Sequence, residues 1–233
     1  MQLLRGDGGP LRVGHRGAAA LAPENSLAAI EAAARAGADA VELDVARGLV
    51  IAHSDERVDG APTLDEALEL AAGLGLAVQI DVKEPGLAAG TTAALRRHGL
   101  EARSFVSAPS ARILREFAAA DPALPRSLTY PEDRHGVSGR PLAAPFVRAA
   151  LAAGRAALPR RLPRLLGSAE ASAATLDHRV VSRAAVDTCH RLGAAVLVWT
   201  VNDPGVARAL AQTGVDGIIT DDPGIVPAGP PNT

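Results

Sequence analysis

Short apolar or β-branched runs alternate with helix-forming stretches rich in Ala and Leu along nearly the whole chain. The alternation repeats at intervals of roughly 25–35 residues, which is typical of the βαβ units of a parallel sheet. Eight parallel strands can close on themselves, so the pattern predicts a β/α barrel. The predicted strands are Leu11–His15, Ala40–Val45, Leu76–Val82, Ser104–Ser107, Arg126–Thr129, Ala171–Leu176, Ala195–Thr200 and Gly217–Thr220.

The segments between these strands predict helices, and several carry start signals. Asn25 or Ser26 can cap the first helix, Thr63 with Glu66 forms a capping box, and Asp203 precedes a proline that opens the last helix. The predicted helices are 26–36, 63–73, 87–98, 109–120, 141–156, 182–192 and 204–213.

Two further segments and the absence of a linker complete the predicted organisation. A short extra strand is predicted at Gly48–His53, and Pro159–Pro163 is predicted to be a loop. No segment resembles a linker between domains, so residues 1–233 are expected to form a single domain.

Composition excludes several classes of protein. With a net charge of −2 and only five aromatic residues, the chain lacks the basic field and the stacking platform of a nucleic-acid-binding protein. The single Cys189 rules out an internal disulfide and a cysteine metal cluster. The N-terminus has no apolar run for a signal peptide or a membrane span, so a cytoplasmic enzyme without stable membrane insertion is expected.

Polar residues cluster at the predicted carboxyl ends of several strands. In β/α barrels these ends meet at one face, where ligand chemistry takes place. The fold would therefore gather residues that are remote in sequence into one site. The residues concerned are His15, Glu42, Asp44, Asp81, Lys83 and Trp199.

The two carboxylates of one predicted strand are forced into the barrel interior. Glu42 and Asp44 share one face of the strand, while the apolar residues between and beside them occupy the face that packs under helices. Neighbouring buried carboxylates repel each other unless a cation lies between them. Asp81 on the next strand would supply a third oxygen ligand, and ligands of this kind favour Mg²⁺ or Ca²⁺.

The remaining candidates suit a phosphate ester. His15 and His53 have the intrinsic pKa for proton transfer near neutrality, and Gly17 beside His15 permits close approach of a ligand. Arg16 offers a bidentate fork and Lys83 a point charge for phosphate, although both could instead form salt bridges with the carboxylates. Trp199 could be a core residue or an apolar wall for the substrate.

Read together, these residues resemble the glycerophosphodiester phosphodiesterase family almost from end to end. The shared motifs are H-R-G at 15–17, P-E-N-S at 23–26, G-A-D-A-V-E-L-D-V at 37–45, the histidine at 53, P-T-L-D-E-A-L at 62–68, D-V-K at 81–83, W-T-V-N at 199–202 and G-V-D-G-I-I-T-D-D-P at 214–223. The combination is highly specific, although no single motif is decisive.

The resemblance implies a (β/α)8 TIM barrel that hydrolyses glycerophosphodiesters to an alcohol and sn-glycerol 3-phosphate. It implies acid/base catalysis by His15 and His53, without saying which is the acid. It further implies a divalent metal ion, Mg²⁺ or Ca²⁺, on three carboxylates, with cations and an aromatic residue for the substrate. These are Glu42, Asp44 and Asp81 for the metal and Arg16, Lys83 and Trp199 for the substrate.

The sequence departs from the family pattern at three places. Asp81 stands where the family often has Glu, the turn before the second histidine is contracted to 46–48, and only Ser54–Ala61 remain of the insertion that follows it. Because that insertion caps the pocket in many members, the mouth is expected to be wide and tolerant of different head groups. Pro141–Phe146 and Trp199 could then admit an acyl chain.

Three alternative functions stay open. Lysophospholipase D or sphingomyelinase D-like enzymes also lack the insertion and carry Asp at the third ligand position, so lysophospholipids are the second substrate class. A metal-dependent sugar isomerase or a non-catalytic glycerophosphodiester-binding protein could use a similar residue set. Which metal binds, whether a cyclic phosphate forms and what oligomer the chain adopts are not determined by the sequence.

Overall fold

The computed structural model describes residues 1–5, 8–53, 60–131 and 144–227, and side chains are described for all of these except 144–150. Within these residues, nine strands form one sheet: β1 Leu11–Gly14, β2 Ala40–Ala46, β3 Val50–Ile51, β4 Ala77–Val82, β5 Ser104–Ala108, β6 Arg126–Tyr130, β7 Ala173–Asp177, β8 Ala195–Trp199 and β9 Gly217–Thr220.

Eight of the strands close into a parallel barrel. Their order follows the sequence from β1 to β9 with β3 left out, and β1 pairs with both β2 and β9 to complete the circle. The short β3 pairs antiparallel with the end of β2 and lies outside the ring, as predicted for the extra strand. The predicted (β/α)8 barrel is therefore confirmed.

Helices connect the strands on the outside of the barrel. They are α1 Leu27–Arg35, α2 Leu64–Gly73, α3 Ala88–Arg97, α4 Ala111–Ala120, α5 Ala144–Ala169, α6 Arg183–Arg191 and α7 Pro204–Thr213. Ser26 caps α1 through the backbone N–H of Ala29. Thr63 and Glu66 form the predicted capping box on α2, and Asp203 caps α7 just before its opening proline. None of these helices combines the length and the apolar composition that crossing a bilayer would require.

The main core lies between the barrel and the helices. On β2, Val41, Leu43 and Val45 are buried in this layer, which turns the alternate residues towards the barrel axis as the pattern predicted. A smaller apolar cluster fills the barrel interior below the site and includes Val13 and Phe105. Cys189 on α6 is a free buried thiol, and burial raises its pKa to about 12.

The predicted loop at Pro159–Pro163 is wrong, because these residues lie inside α5, which continues to Ala169. Each interior proline costs a helix roughly 3 kcal/mol. Leu158, Leu162 and Leu166 recur at every fourth position and are buried in the core. Burying three leucines contributes roughly 1.5–3 kcal/mol each, which is comparable to the cost of two prolines. Tertiary packing thus overrides the local signal.

Candidate active site

A cavity of about 430 Å³ opens at the carboxyl ends of the barrel strands. Among the described residues that line the cavity, one wall, formed by β1, β2, β4 and the segment after β3, carries every charged residue and both histidines. The described residues of the opposite wall are uncharged. The structure brings together all of the candidate site residues predicted from the sequence: His15, Arg16, Glu42, Asp44, His53, Asp81, Lys83 and Trp199.

Three carboxylates form a buried cluster on the charged wall. Glu42, Asp44 and Asp81 are only 5%, 2% and 4% exposed, and one oxygen of each lies within 4.8 Å of the others. The sheet register explains this grouping, since Asp44 is paired with Asp81 across β2 and β4, and Glu42 precedes Asp44 on the same face. The cluster could hold a metal ion through three hard oxygen atoms.

The electrostatics of this cluster favour a bound cation. Burial, followed by repulsion from Asp44, raises the pKa of Glu42 to about 7. Burial also opposes ionisation of Asp44, but the hydrogen bond with His53 and the charges of Lys83 and Arg16 outweigh it and hold that pKa well below its usual value. The fixed cations therefore compensate Asp44 and leave Glu42 costly to ionise. A divalent ion fits this donor set, because it would supply the missing positive charge.

The first βα turn directs a backbone N–H group at the carboxylate of Glu42. A side chain at Gly14 would lie 1.8 Å from the carbonyl oxygen of Gly17, and one at Gly17 would lie 2.5 Å from the Cβ of Ala29. Only glycine allows this tight turn. The turn places the backbone N–H of Arg16 2.8 Å from the Glu42 carboxylate, with Arg16 itself in the left-handed region at φ 50°.

Arg16 and His53 meet beside Asp44. The Arg16 Nη1 atom donates to Glu24 at 2.6 Å, and its Nε atom lies 3.0 Å from Asp44 Oδ2 in an ion pair without hydrogen-bond geometry. His53 uses Nδ1 to contact the same Asp44 oxygen at 3.1 Å. The Arg16 Nη2 atom lies 3.4 Å from His53 Nε2. This arrangement holds the imidazole and the guanidinium together at the cavity wall.

Sequence reasoning missed the partners of His15. Asp221, just after β9, contacts His15 Nδ1 at 2.6 Å, and Asn202 donates to the other oxygen of Asp221. Burial opposes the charged imidazole, but the Asp221 hydrogen bond and the charge of Glu42 outweigh it, so the pKa of His15 is raised. Both partners belong to motifs near the C-terminus that the resemblance included without a role. Their position at the carboxyl ends of β8 and β9 was the available signal.

Asn25 is another residue whose part in the site was not predicted. Ser26, not Asn25, provides the side-chain cap of α1. Asn25 is buried at φ 51°, donates to Asp44 Oδ2 at 3.1 Å and accepts from the Asp44 backbone N–H at 3.2 Å. Two bonds from one side chain fix both the strand and the carboxylate of Asp44.

Lys83 and a hydrogen-bond chain through β5 hold Asp81. The Lys83 ammonium forms an ion pair with Asp81 and lies 3.6 Å from Asp44. Burial opposes its charge, but the neighbouring carboxylates outweigh this and raise the pKa of Lys83. The Ser107 hydroxyl donates to the other Asp81 oxygen at 2.6 Å and receives a bond from Gln79 at 2.9 Å.

The uncharged wall is formed by β6 to β9 and their following loops. Trp199 is partly buried, and its indole N–H donates to the Thr175 carbonyl at 3.2 Å, which fixes the ring at the cavity edge. Thr129, Pro131 and Ile219 also line this side. Trp199 therefore packs on the barrel cluster and also borders the cavity.

The other described histidines lie outside the cavity lining. His98 contacts Asp65 on the surface, and His190 contacts Asp216. His178 lies 3.3 Å from the Trp199 carbonyl through its Nδ1 atom. His135 lies outside the described residues.

Comparison with known proteins agrees with this arrangement. The model of the glycerophosphoryl diester phosphodiesterase family matches residues 15–84 and 54–225. A glycerophosphodiester phosphodiesterase from Caldanaerobacter subterraneus subsp. tengcongensis is 26% identical over 91% of this chain and 94% of that protein.

Two solved structures show the same fold. A Silicibacter pomeroyi DSS-3 protein superposes with a TM-score of 0.75 at 26% identity, covering 96% of this chain and 95% of that one. An Oleispira antarctica phosphodiesterase, solved in complex with the product sn-glycerol-3-phosphate, superposes with a TM-score of 0.69 at 21% identity, covering 93% and 94%. The fold, the site and the relatives define this protein as a phosphodiesterase. The chain belongs to the glycerophosphoryl diester phosphodiesterase family.

Proposed function

We propose that this protein hydrolyses glycerophosphodiesters to an alcohol and sn-glycerol 3-phosphate by metal-dependent catalysis with two histidines. The observation that carries the proposal is a cavity that brings two histidines, each in contact with a carboxylate, together with three clustered carboxylates and two cations. The Oleispira relative with sn-glycerol-3-phosphate bound supports the nature of the product.

The charged wall is the binding site for the phosphate. Arg16 and Lys83 border the cavity and are held there by ion pairs with carboxylates. Their guanidinium and ammonium groups would contact the negatively charged phosphate oxygens and stabilise further charge in the transition state. A divalent ion held by Glu42, Asp44 and Asp81 would act there as a Lewis acid on the phosphoryl group.

The hydrogen bonds of His53 favour the role of general base. Asp44, with its lowered pKa, is an acceptor only, so the Nδ1 atom of His53 carries a proton. Arg16 Nη2 beside Nε2 can only donate, which leaves Nε2 as an acceptor. His53 Nε2 would therefore take the proton of the attacking hydroxyl, which comes from water or from the substrate's own glycerol.

The contacts of His15 support the role of general acid. Its Nδ1 atom is bound to Asp221, and the raised pKa favours the imidazolium form with a second proton on Nε2. That proton would pass to the leaving alkoxide as the phosphorus–oxygen ester bond breaks and the new bond to the nucleophile forms. The two histidines then exchange protonation states with each turnover and are reset through solvent.

The uncharged wall suits the alcohol part of the substrate. Trp199, Pro131 and Ile219 offer apolar surface, and the described residues of this wall carry no charge that would select a small cationic head group. This wall also favours a second candidate substrate, the lysophospholipids, whose acyl chain needs apolar contacts. Pro141–Phe146, the other segment expected to contact an acyl chain, lies where no side chain is described.

The proposal is tested by steady-state assays that measure alcohol and sn-glycerol 3-phosphate released from glycerophosphocholine. We expect equal amounts of both products from the wild type, none from Glu42→Gln, and release that is slower by roughly 10²–10⁴-fold from His53→Ala. His98→Ala is the matched control, since its surface pair with Asp65 lies outside the cavity lining. Wild-type turnover by His53→Ala would refute the assigned base.

A further inference from the structure

Gln79 is a buried amide in the wall of the cavity. It lies on β4 two residues before Asp81, so both side chains point into the barrel, and it is only 1% exposed. Its Nε2 atom lies 2.9 Å from Ser107 Oγ, which in turn lies 2.6 Å from Asp81 Oδ1. Gln79 therefore belongs to the hydrogen-bond chain that ends at a carboxylate of the cluster.

The direction of this chain fixes the orientation of the amide. A serine hydroxyl has one proton, and the ion pair with Lys83 marks Asp81 as an ionised acceptor. Ser107 must therefore donate to Asp81 and accept from Gln79, which requires the NH₂ group of Gln79 to face Ser107. Because nitrogen and oxygen diverge from the same carbon, the carbonyl oxygen points away from Ser107.

That carbonyl oxygen is shielded from solvent and has no hydrogen-bond partner among the described residues. A buried acceptor without a partner costs roughly 1–3 kcal/mol, so such an atom calls for an explanation. Gln79 lines the cavity, and its register partner on β2 is Glu42. Glu42, Asp44, Asp81 and Gln79 thus occupy the four positions of a two-by-two grid on β2 and β4, three of them carboxylates.

We propose that the carbonyl oxygen of Gln79 is the fourth protein oxygen ligand of the metal ion. The inference rests on the proposed metal site. The Gln79 carbonyl oxygen is too enclosed for a water molecule to reach it in this structure. A bare metal ion is smaller than a water molecule, so this oxygen can coordinate it. Carbonyl oxygens of Gln and Asn are common ligands of Ca²⁺, which takes six to eight oxygens, whereas Mg²⁺ keeps several of its waters. The fourth oxygen therefore favours Ca²⁺ over Mg²⁺.

Direct metal-binding titrations test this role without reference to turnover. Isothermal titration calorimetry of the chelator-stripped protein with Ca²⁺ and Mg²⁺ would compare the wild type with Gln79→Leu and Gln79→Glu. We expect Gln79→Leu to weaken Ca²⁺ binding at least as much as the loss of an outer-shell partner does, roughly 10–100-fold, and Mg²⁺ binding less. Gln79→Glu should retain Ca²⁺ affinity, because it keeps an oxygen at this position while losing the NH₂ donor.

Thr129→Val is the matched control. The Thr129 hydroxyl oxygen is likewise buried without a partner among the described residues, and Thr129 lines the same cavity from β6, away from the grid. Loss of the Thr129 hydroxyl should leave the affinities for Ca²⁺ and Mg²⁺ unchanged. Circular dichroism and thermal unfolding of each variant verify that the barrel is intact.

The outcomes separate this inference from the proposed function. If the wild type binds neither ion, both proposals are overturned. If the wild type binds Ca²⁺ and Gln79→Leu binds it equally well, only the role of Gln79 is overturned. An equal loss of Ca²⁺ affinity in Gln79→Leu and Gln79→Glu would show that the amide acts by orienting Ser107. That result would also overturn the assignment of Gln79 as a ligand.

Discussion

Replacing Glu42 with Gln should stabilise the metal-free protein at alkaline pH while weakening metal binding. In the folded state burial and Asp44 raise the pKa of Glu42 to about 7, against an ordinary value of 4.5. This difference corresponds to about 3 kcal/mol of folding free energy. Because the folded state binds the proton more tightly, the wild type loses this stability as the pH rises from about 4.5 through 7. Gln has no charge to bury, so the variant avoids the loss.

The measurement is thermal or urea unfolding in excess chelator at pH 8 and at pH 5. For a domain of this size, about 3 kcal/mol corresponds to roughly 6–12 °C in Tm. We expect Glu42→Gln to exceed the wild type by up to this amount at pH 8 and by much less at pH 5. Exposed Glu69 on α2 provides the matched control, and Glu69→Gln should change little at either pH.

Adding metal should reverse the order of stability. A divalent ion that binds only the folded state should raise the Tm of the wild type more than that of Glu42→Gln. The reasoning is refuted if Glu42→Gln is no more stable than the wild type at pH 8 in chelator. It is equally refuted if both proteins gain the same Tm on addition of metal.

Three further predictions concern turnover. His15→Ala and His53→Ala should each lose roughly 10²–10⁴-fold in kcat with unchanged Tm, whereas His98→Ala should stay near the wild type. Asp221→Asn should lower the pKa of His15, and because a general acid must be protonated, the alkaline limb of the kcat–pH profile should move to lower pH. The prediction is contradicted if neither this limb nor the NMR titration of His15 moves. Values of kcat/KM for choline, ethanolamine and glycerol head groups should agree within about tenfold, or roughly 1.4 kcal/mol, and a preference above a hundredfold would show that other segments rebuild the cap.

The barrel was predictable because its signals are local and repeated. The run Val41, Leu43, Val45 alternates with Glu42 and Asp44, so one short segment defines both the core face and the site face of β2. The Thr63 capping box likewise involves only neighbouring residues. The interior of α5 was not predictable in this way, because the benefit of burying its leucines depends on the helices and strands packed against them.

The sequence predicted which residues form the candidate site but not how most of them contact one another. The sequence identifies His15 and Asp81, yet it does not pair His15 with Asp221, which lies 206 residues away. Gln79 and Ser107 gave no signal, since polar residues inside a strand acquire meaning only through the register of β4 with β5. The proposed assignment of the acid and the base rests on such hydrogen-bond partners, and these partners are set by the closure of the barrel.

The central claim is tested most directly by phosphorus NMR of glycerophosphocholine incubated with the purified protein. With Mg²⁺ or Ca²⁺ present, the diester resonance should disappear and the resonance of sn-glycerol 3-phosphate should grow in equal amount. After exhaustive chelation the diester should persist, and adding the metal back should restore its loss. Full turnover in chelator would contradict the metal-dependent mechanism, and an unchanged diester under every metal condition would contradict the proposed function itself.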